Sequence, residues 1–241
     1  GGGIHIATSS ADALIDNCTV TGNSVTGTNT ARGGGGINVR STSKATIRNC
    51  YIGQNFAGIG GGILIGSSSS SGRADATVIN TVLHGNLADG TNGGGAVMQR
   101  DSYSTFINCT FYGNDHYGDV VGTLNGSGDG DAIFWRGQNE DITTIVNCIF
   151  ANNGIAPSTR NDLRGRAQTI VNLGNSLFYG LQSHWYGSAS TVDELNLIGP
   201  NITTNPVLAG DNFGMTNHRT YPRFVDPENG DYHLQNGSPC I

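Results

Sequence analysis

Chemistry in this chain is concentrated between residues 115 and 141. That stretch carries Asp115, His116, Asp119, Asp129, Asp131, Glu140 and Asp141, with Trp135 and Arg136 beside them. One reading is an acidic, aromatic groove for a sugar chain, in which the indole of Trp135 stacks on a pyranose ring. Asp129 and Asp131 are then the pair whose oxygens suit Ca2+. The plainer reading is a solvated, glycine-rich loop whose acids keep it soluble. Glycoside hydrolysis needs two placed carboxylates, one with a raised pKa. Asp115 with Asp119, or Asp129 with Asp131, would be the pairs, and nothing sets either apart from ordinary loop acids. Arg40, Arg100 and Arg136 follow three similar glycine-led segments. Lined up on one face, they would engage an anionic polymer through charge-assisted hydrogen bonds. The histidines show no paired or HExxH spacing, which argues against zinc. Lys44, the sole lysine, sits in the turn-like Ser41-Thr42-Ser43-Lys44 and reads as a solvated charge.

The elements that would hold these residues come from a repeat. A phrase of apolar, any, Asn, small, any, apolar, any, Gly, Asn reads Ile15-Asp16-Asn17-Cys18-Thr19-Val20-Thr21-Gly22-Asn23. It returns at 47–55, 78–86, 106–114 and 145–153, and in decayed form at 173–180. Its first asparagines are Asn17, Asn49, Asn80, Asn108, Asn147 and Asn175, 28 to 39 residues apart. A second phrase, glycines then apolar, any, apolar, precedes each copy, as in Gly36-Ile37-Asn38-Val39 and Gly62-Ile63-Leu64-Ile65. Alternation of period two marks strands with one buried face. One repeat cannot bury that face alone, but coils stacked about 4.8 Å apart can. The prediction is an all-β chain: a right-handed parallel β-helix of about six coils over residues 1–181. A propeller blade would need four strands in about 40–45 residues, which fits these shorter repeats less well.

The first asparagines are expected at corners, where Asn tolerates the left-handed conformation, stacked as a buried structural ladder. The glycosylation sequons Asn17-Cys18-Thr19 and Asn108-Cys109-Thr110 would then be hidden. Cys18, Cys50, Cys109 and Cys148 occupy the next position and read as a second stack, of small buried thiols. Disulfides Cys18–Cys50 and Cys109–Cys148 are the alternative, with Cys240 unpaired in both. After Leu181, which stands where Asn is expected, the pattern fails. Residues 182–241 hold five of the six prolines and are expected to cap the last coil.

Composition narrows the partners. The chain has 241 residues, enough for one large domain, with 38 glycines and a net charge of −6. A mildly acidic chain with no basic stripe in the sequence argues against nucleic acid. There is no apolar run of about 18 residues, so no transmembrane segment is expected. The chain opens on Gly1-Gly2-Gly3 and stops at Pro239-Cys240-Ile241, which reads as a mature product or a fragment.

Gly60-Gly61-Gly62-Ile63 and Phe111-Tyr112-Gly113-Asn114 resemble the repeats of bacterial right-handed parallel β-helix proteins and of polymorphic outer-membrane proteins. The tail, Phe224-Val225-Asp226-Pro227-Glu228-Asn229-Gly230-Asp231-Tyr232-His233-Leu234, is similar to the end of β-helix domains in choice-of-anchor surface proteins. That resemblance implies an exported or surface-displayed protein, secreted or held at the cell surface, and fixes no catalytic residue. The aspartate cluster of polygalacturonases is absent, and β-helix lyases use a Lys or Arg base that no residue here marks out. The expectation is a structural or adhesive module, with a glycan or copies of itself as partner. A polysaccharide-degrading enzyme, lyase or glycoside hydrolase, is the alternative.

Overall fold

Period-two alternation becomes four parallel sheets in the computed structural model of the chain. It describes residues 2–7, 12–26, 33–66, 72–90, 93–116, 130–137, 141–154, 161–166, 169–174, 176–179, 183–186, 194–197 and 221–238. The first sheet stacks Ile4–Ile6, Ile37–Val39, Ile63–Gly66, Val97–Arg100, Ile133–Arg136, Asn161–Arg166 and Ser183–Tyr186. The second stacks Asp12–Asp16, Lys44–Arg48, Asp75–Ile79, Tyr103–Ile107, Asp141–Val146, Thr169–Gly174 and Glu194–Leu197. The third holds Thr19–Thr21, Tyr51–Gly53, Val82–His84, Thr110–Tyr112, Ile149–Ala151 and Leu177–Tyr179. The fourth is short: Ser24–Val25, Phe56–Ala57, Leu87–Ala88 and Asp115–His116. Each strand pairs with its copy one repeat away, so the chain is an all-β parallel solenoid. Among the described residues four coils carry all four strands, two carry three and a last rung carries two. About six coils were expected and four are complete; among the described residues the next two show no fourth strand.

Residues of one parity fill the interior. Ile47, Val78, Phe106 and Ile145 form one buried column, and Ile52, Leu83, Phe111, Phe150 and Phe178 another. Phe111 stacks on Phe150 at 4.5 Å and Phe150 on Phe178 at 4.7 Å, one coil rise per ring. The glycine corners let coils close up: a Cβ on Gly61 would lie 2.4 Å from the Leu87 carbonyl oxygen. The middle of the first sheet is buried on both faces, because Leu64, Met98 and Phe134 point outward and pack with Ile59 in a separate cluster.

The first asparagine of the phrase takes the corner expected of it, but the buried ladder belongs to the second. Asn17, Asn49, Asn80, Asn108 and Asn147 do take the left-handed conformation, with φ of 47–54°. They are exposed rather than buried, however, because that turn swings the side chain outward. The sequons at Asn17 and Asn108 are therefore at the surface. Their amides still run up the outside of the column: Asn108 Nδ2 donates to Asn80 Oδ1 at 3.2 Å and Asn49 Nδ2 to Asp16 Oδ1 at 3.0 Å. Asn175 lies outside the described residues. The internal ladder is made by the second asparagine of each phrase. Asn23, Asn55, Asn86 and Asn114 each donate Nδ2 to the next Oδ1 at 3.0 Å. Asn153 ends the series by donating to Asp162 Oδ1 at 2.9 Å. Each Oδ1 from Asn55 to Asn153 also accepts the backbone N–H of the asparagine one coil back, which fixes the coil register.

Cys18, Cys50, Cys109 and Cys148 are free thiols in one column with Thr81 and Ser176. Each thiol or hydroxyl donates to the carbonyl two residues back, as Cys50 does to Arg48 and Thr81 to Ile79. Burial pushes the Cys50 and Cys148 thiols up from the usual range, which makes them poor nucleophiles. Iodoacetamide should therefore label Cys50, Cys109 and Cys148 only after unfolding, read as the mass shift with and without denaturant. Cys240 lies outside the described residues.

The boundary at 181 needs correcting, while most of the expected end cap, residues 187–193 and 198–220, lies outside the described residues. Ser183–Tyr186 and Glu194–Leu197 extend the first and second sheets, so the solenoid continues past Leu181. The tail forms an antiparallel hairpin, Phe224–Asp226 and Asp231–Leu234, turned by a 3-10 segment with Gly230 left-handed at φ 85°. Its Phe224 and Tyr232 are buried against Ile149, Ala151, Tyr112 and Tyr51, on the outer face of the third sheet. The hairpin thus lies along the flank of the coils.

Candidate functional site

The aromatic, acidic groove centred on Trp135 does not form. Trp135 shares the inward parity of Ile133 and is fully buried. Its indole Nε1 donates to Thr143 Oγ1 at 2.6 Å, inside the solenoid. No sugar can stack on it. Asp115 and His116 form the last strand of the fourth sheet, paired with Leu87 and Ala88, and both are buried. Asp115 Oδ1 accepts the His116 backbone N–H at 2.9 Å, and the His116 ring packs against the Gly90 carbonyl. They are corner residues, and so is Asp131, buried in the glycine segment before Ile133. Asp119, Asp129 and Glu140 lie outside the described residues, so the Asp129–Asp131 pairing for Ca2+ does too. Among the described residues no three His, Cys, Asp or Glu side chains gather to hold a metal.

Trp135 belongs instead to a polar chain in an otherwise apolar interior. Thr143 Oγ1 donates to Gln99 Oε1 at 2.9 Å, and Ser104 Oγ donates to the same oxygen at 2.6 Å. Gln99 Nε2 donates to the Ser102 carbonyl at 2.7 Å and reaches Asp141 Oδ1 at 3.4 Å. Asp141 Oδ1 also accepts the Ser102 backbone N–H, while Oδ2 is buried with no hydrogen-bond partner. Burial, reinforced by the nearby Asp101 charge, pushes the Asp141 carboxyl up to about 7. Its complete burial keeps it from any polymer outside.

What the coils do bring together is charge. Arg40, Arg100 and Arg136 follow the in-register pairs Val39–Ile65 and Gln99–Trp135, so they occupy one column at the corner between the first and second sheets. Gly66 fills the gap between Arg40 and Arg100, and Arg166 pairs with Arg136 one coil on. Arg40, Arg100 and Arg136 are half-buried. Lys44 and Arg73 stand just beyond, where the second-sheet strands begin. Arg73 hydrogen-bonds the Tyr103 hydroxyl and holds its guanidinium 5.0 Å from the ring centre. Arg40, Lys44, Arg73, Arg100 and Arg136 are five of the 12 cationic side chains, gathered at one corner of an acidic protein. The exposed Asp12 and the half-buried Asp75 sit at the outer strand starts and temper this field without breaking the arginine column. The sequence alone concealed Arg166, because its strand has no glycine lead, and Arg73, because it lies before the strand in a differently shaped turn.

Neither curated proteins nor solved structures include a match to this chain. Residues 2–194 match a family model described as a right handed beta helix region, which covers the solenoid almost to its last strand. With four parallel sheets in register over that same span, the chain belongs to the right-handed β-helix family.

Proposed function

We propose that this protein is an extracellular or cell-surface adhesive module that grips an anionic glycan along its arginine corner. The observation that carries this reading is the column of Arg40, Arg100 and Arg136, set at multiples of the coil rise of about 4.8 Å. An extended acidic polysaccharide laid along the solenoid axis presents charges at comparable intervals, and each guanidinium fork can take a carboxylate or sulfate with two parallel hydrogen bonds. The tail's similarity to surface-protein domains supports the location. Asp115 and Asp131, one member of each carboxylate pair that hydrolysis would need, are buried, which favours binding over cleavage.

The test is retention on immobilised polygalacturonate and on a sulfated glucan, against a neutral glucan, over a salt gradient. Wild-type protein should be retained by the anionic polymers and released by salt, since the contacts are partly screened. Combined Arg40→Ala, Arg100→Ala and Arg136→Ala should weaken retention at least about tenfold, the loss of one charge-assisted contact of ~1.5 kcal/mol or more. Lysine at the same three positions should restore only part, because the fork is lost. Equal retention on neutral polymer, or an unaffected triple variant, would sink the proposal. Release of oligosaccharides above a heat-killed control would overturn its non-catalytic part.

A further inference from the structure

The outer face of the third sheet carries a row of rings. Tyr51, His84, Tyr112 and Tyr179 project from four of its strands, and the tail hairpin lies across them. Tyr232 of the hairpin packs on Tyr51, His84 and Tyr112 with ring centres 6.5, 5.5 and 5.4 Å away. Phe224 meets Tyr112 edge-on at 5.8 Å, and Tyr221 meets Tyr179 at 5.3 Å. The backbone bonds of the tail stay within the tail: Gln235 N–H donates to Arg223, Ser238 N–H to Gln235 and Gly230 N–H to Pro227. Rings therefore hold the hairpin down, and no strand pairing joins it to the solenoid among the described residues.

His84 sits in the middle of that seam. Its Nδ1 faces the Tyr51 hydroxyl at 2.9 Å, with the ring between Tyr51 on the coil before, Tyr112 on the coil after and Tyr232 on the hairpin. Those three phenols are the titratable groups facing it, and all are neutral in acid. Burial alone lowers the pKa of His84 from 6.5. The Tyr232 hydroxyl is buried beside Tyr51 without a hydrogen bond of normal geometry, so the seam offers little to a new charge.

We propose that the C-terminal hairpin is a releasable strap, docked over the third sheet while His84 is neutral and let go when His84 gains a proton. A neutral imidazole accepts from Tyr51 and packs tilted against three rings. An imidazolium loses that acceptor and leaves a cation in a half-buried aromatic layer, which opening the hairpin would rehydrate. The sign follows from the lowered pKa of the docked state. The hold is complete above the ordinary histidine value of 6.5 and declines as pH falls through it. One proton changes the open-to-docked ratio by at most about tenfold per pH unit. The other imidazole of the tail, His233, is exposed and pairs with Asp231 within the hairpin at 2.6 Å, so it is outside the seam. Glu228 and Asp226 belong to the outward turn, Asp226 accepting from Asn229. Opening would bare Tyr51, Tyr112 and Tyr179 as an aromatic row along the axis.

Hydrogen exchange by mass spectrometry on the full chain tests this, corrected for intrinsic rates. From about pH 7.5 to about pH 5.5, residues 224–234 should lose up to about tenfold of their protection, while the strands around Phe111 and Phe150 keep theirs. His84→Gln retains an acceptor for Tyr51 and cannot ionise, so its hairpin should stay protected at both pH values. His233→Asn should behave as wild type. Should His84→Gln fail to dock at any pH, the wild-type imidazole titration seen by NMR decides. The His84 midpoint must then coincide with hairpin opening. Equal protection at both pH values, a pH response kept in a docked His84→Gln, or an unmatched midpoint would each overturn the strap.

Discussion

Asn86→Ala is expected to lower folding stability by about 4 kcal/mol, enough to remove much of the margin of an ordinary domain. Asn86 is fully buried and uses all of its amide. Nδ2 donates to Asn114 Oδ1 at 3.0 Å and to the Ile52 carbonyl at 2.9 Å. Oδ1 accepts both the backbone N–H and Nδ2 of Asn55. Alanine leaves two donors and a carbonyl unpaired in a site closed to water, and each orphan costs about 1–3 kcal/mol. Asn80, six residues earlier in the same phrase, predicts the opposite scale. It is exposed at φ 47°, so Asn80→Ala should cost about 1 kcal/mol or slightly more, mainly for placing a Cβ in the left-handed region, and Asn80→Gly less. Urea titration of both variants by circular dichroism separates the cases. Similar midpoints would show that the internal ladder has been assigned to the wrong asparagine.

The second large effect concerns pH. Asp141 is held near pKa 7 in the folded chain, against 3.8 as its ordinary value. A group raised on folding destabilises once it ionises. Its unfavourable contribution is absent below about pH 3.8, grows between there and 7, and is complete above 7. The full shift corresponds to roughly 2–4 kcal/mol, taking about 1.4 kcal/mol per unit and allowing for relaxation of the site. Stability should therefore rise as pH drops from about 8 toward 5, against the trend for most carboxylates in a folded protein. Asp141→Asn keeps the oxygen that accepts from Ser102 and cannot ionise. It should melt higher than wild type at about pH 8 and lose the advantage near pH 5. A variant no more stable than wild type at alkaline pH would mean that water or a counter-charge already satisfies Oδ2. The melts should be run on the His84→Gln background as well, so that hairpin opening in acid is not mistaken for a change at Asp141.

Strand positions and coil register were legible because each strand repeats the parity of the one before. Ile37, Ile63, Val97 and Ile133 occupy one slot, and the structure pairs them in that order. The same parity places Trp135 inside with Ile65 and Gln99, so the inward ring was encoded. Its setting in a polar stretch suggested a binding platform instead. Which asparagine faces inward was not encoded by recurrence, since both recur in every phrase. Only the left-handed turn at the first, which throws its side chain outward, decides it. Arg40, Arg100 and Arg136 sit at corresponding places in their phrases and could be aligned. Asp141 could not be singled out, because its raised pKa comes from burial and from the Asp101 charge on the preceding coil, which outweigh the bonds it accepts from Ser102 and Gln99. The hairpin's resting place was equally hidden: its apolar residues fit a strand pair, but the face that receives them is assembled from Tyr51, Tyr112 and Tyr179, far apart in the chain.

A stack of coils is mechanically a column of separate discs. Each touches only the one above and the one below, so strain at one end need not be felt at the other, and such arrays can fray coil by coil. The flank hairpin changes that coupling. By pressing on Tyr51 of the second coil, Tyr112 of the fourth and, through Tyr221, Tyr179 of the sixth, it ties coils that are not neighbours. It works as a splint, and with it in place the middle of the solenoid should yield to heat or force as one block. Without it, the same coils would give way in sequence.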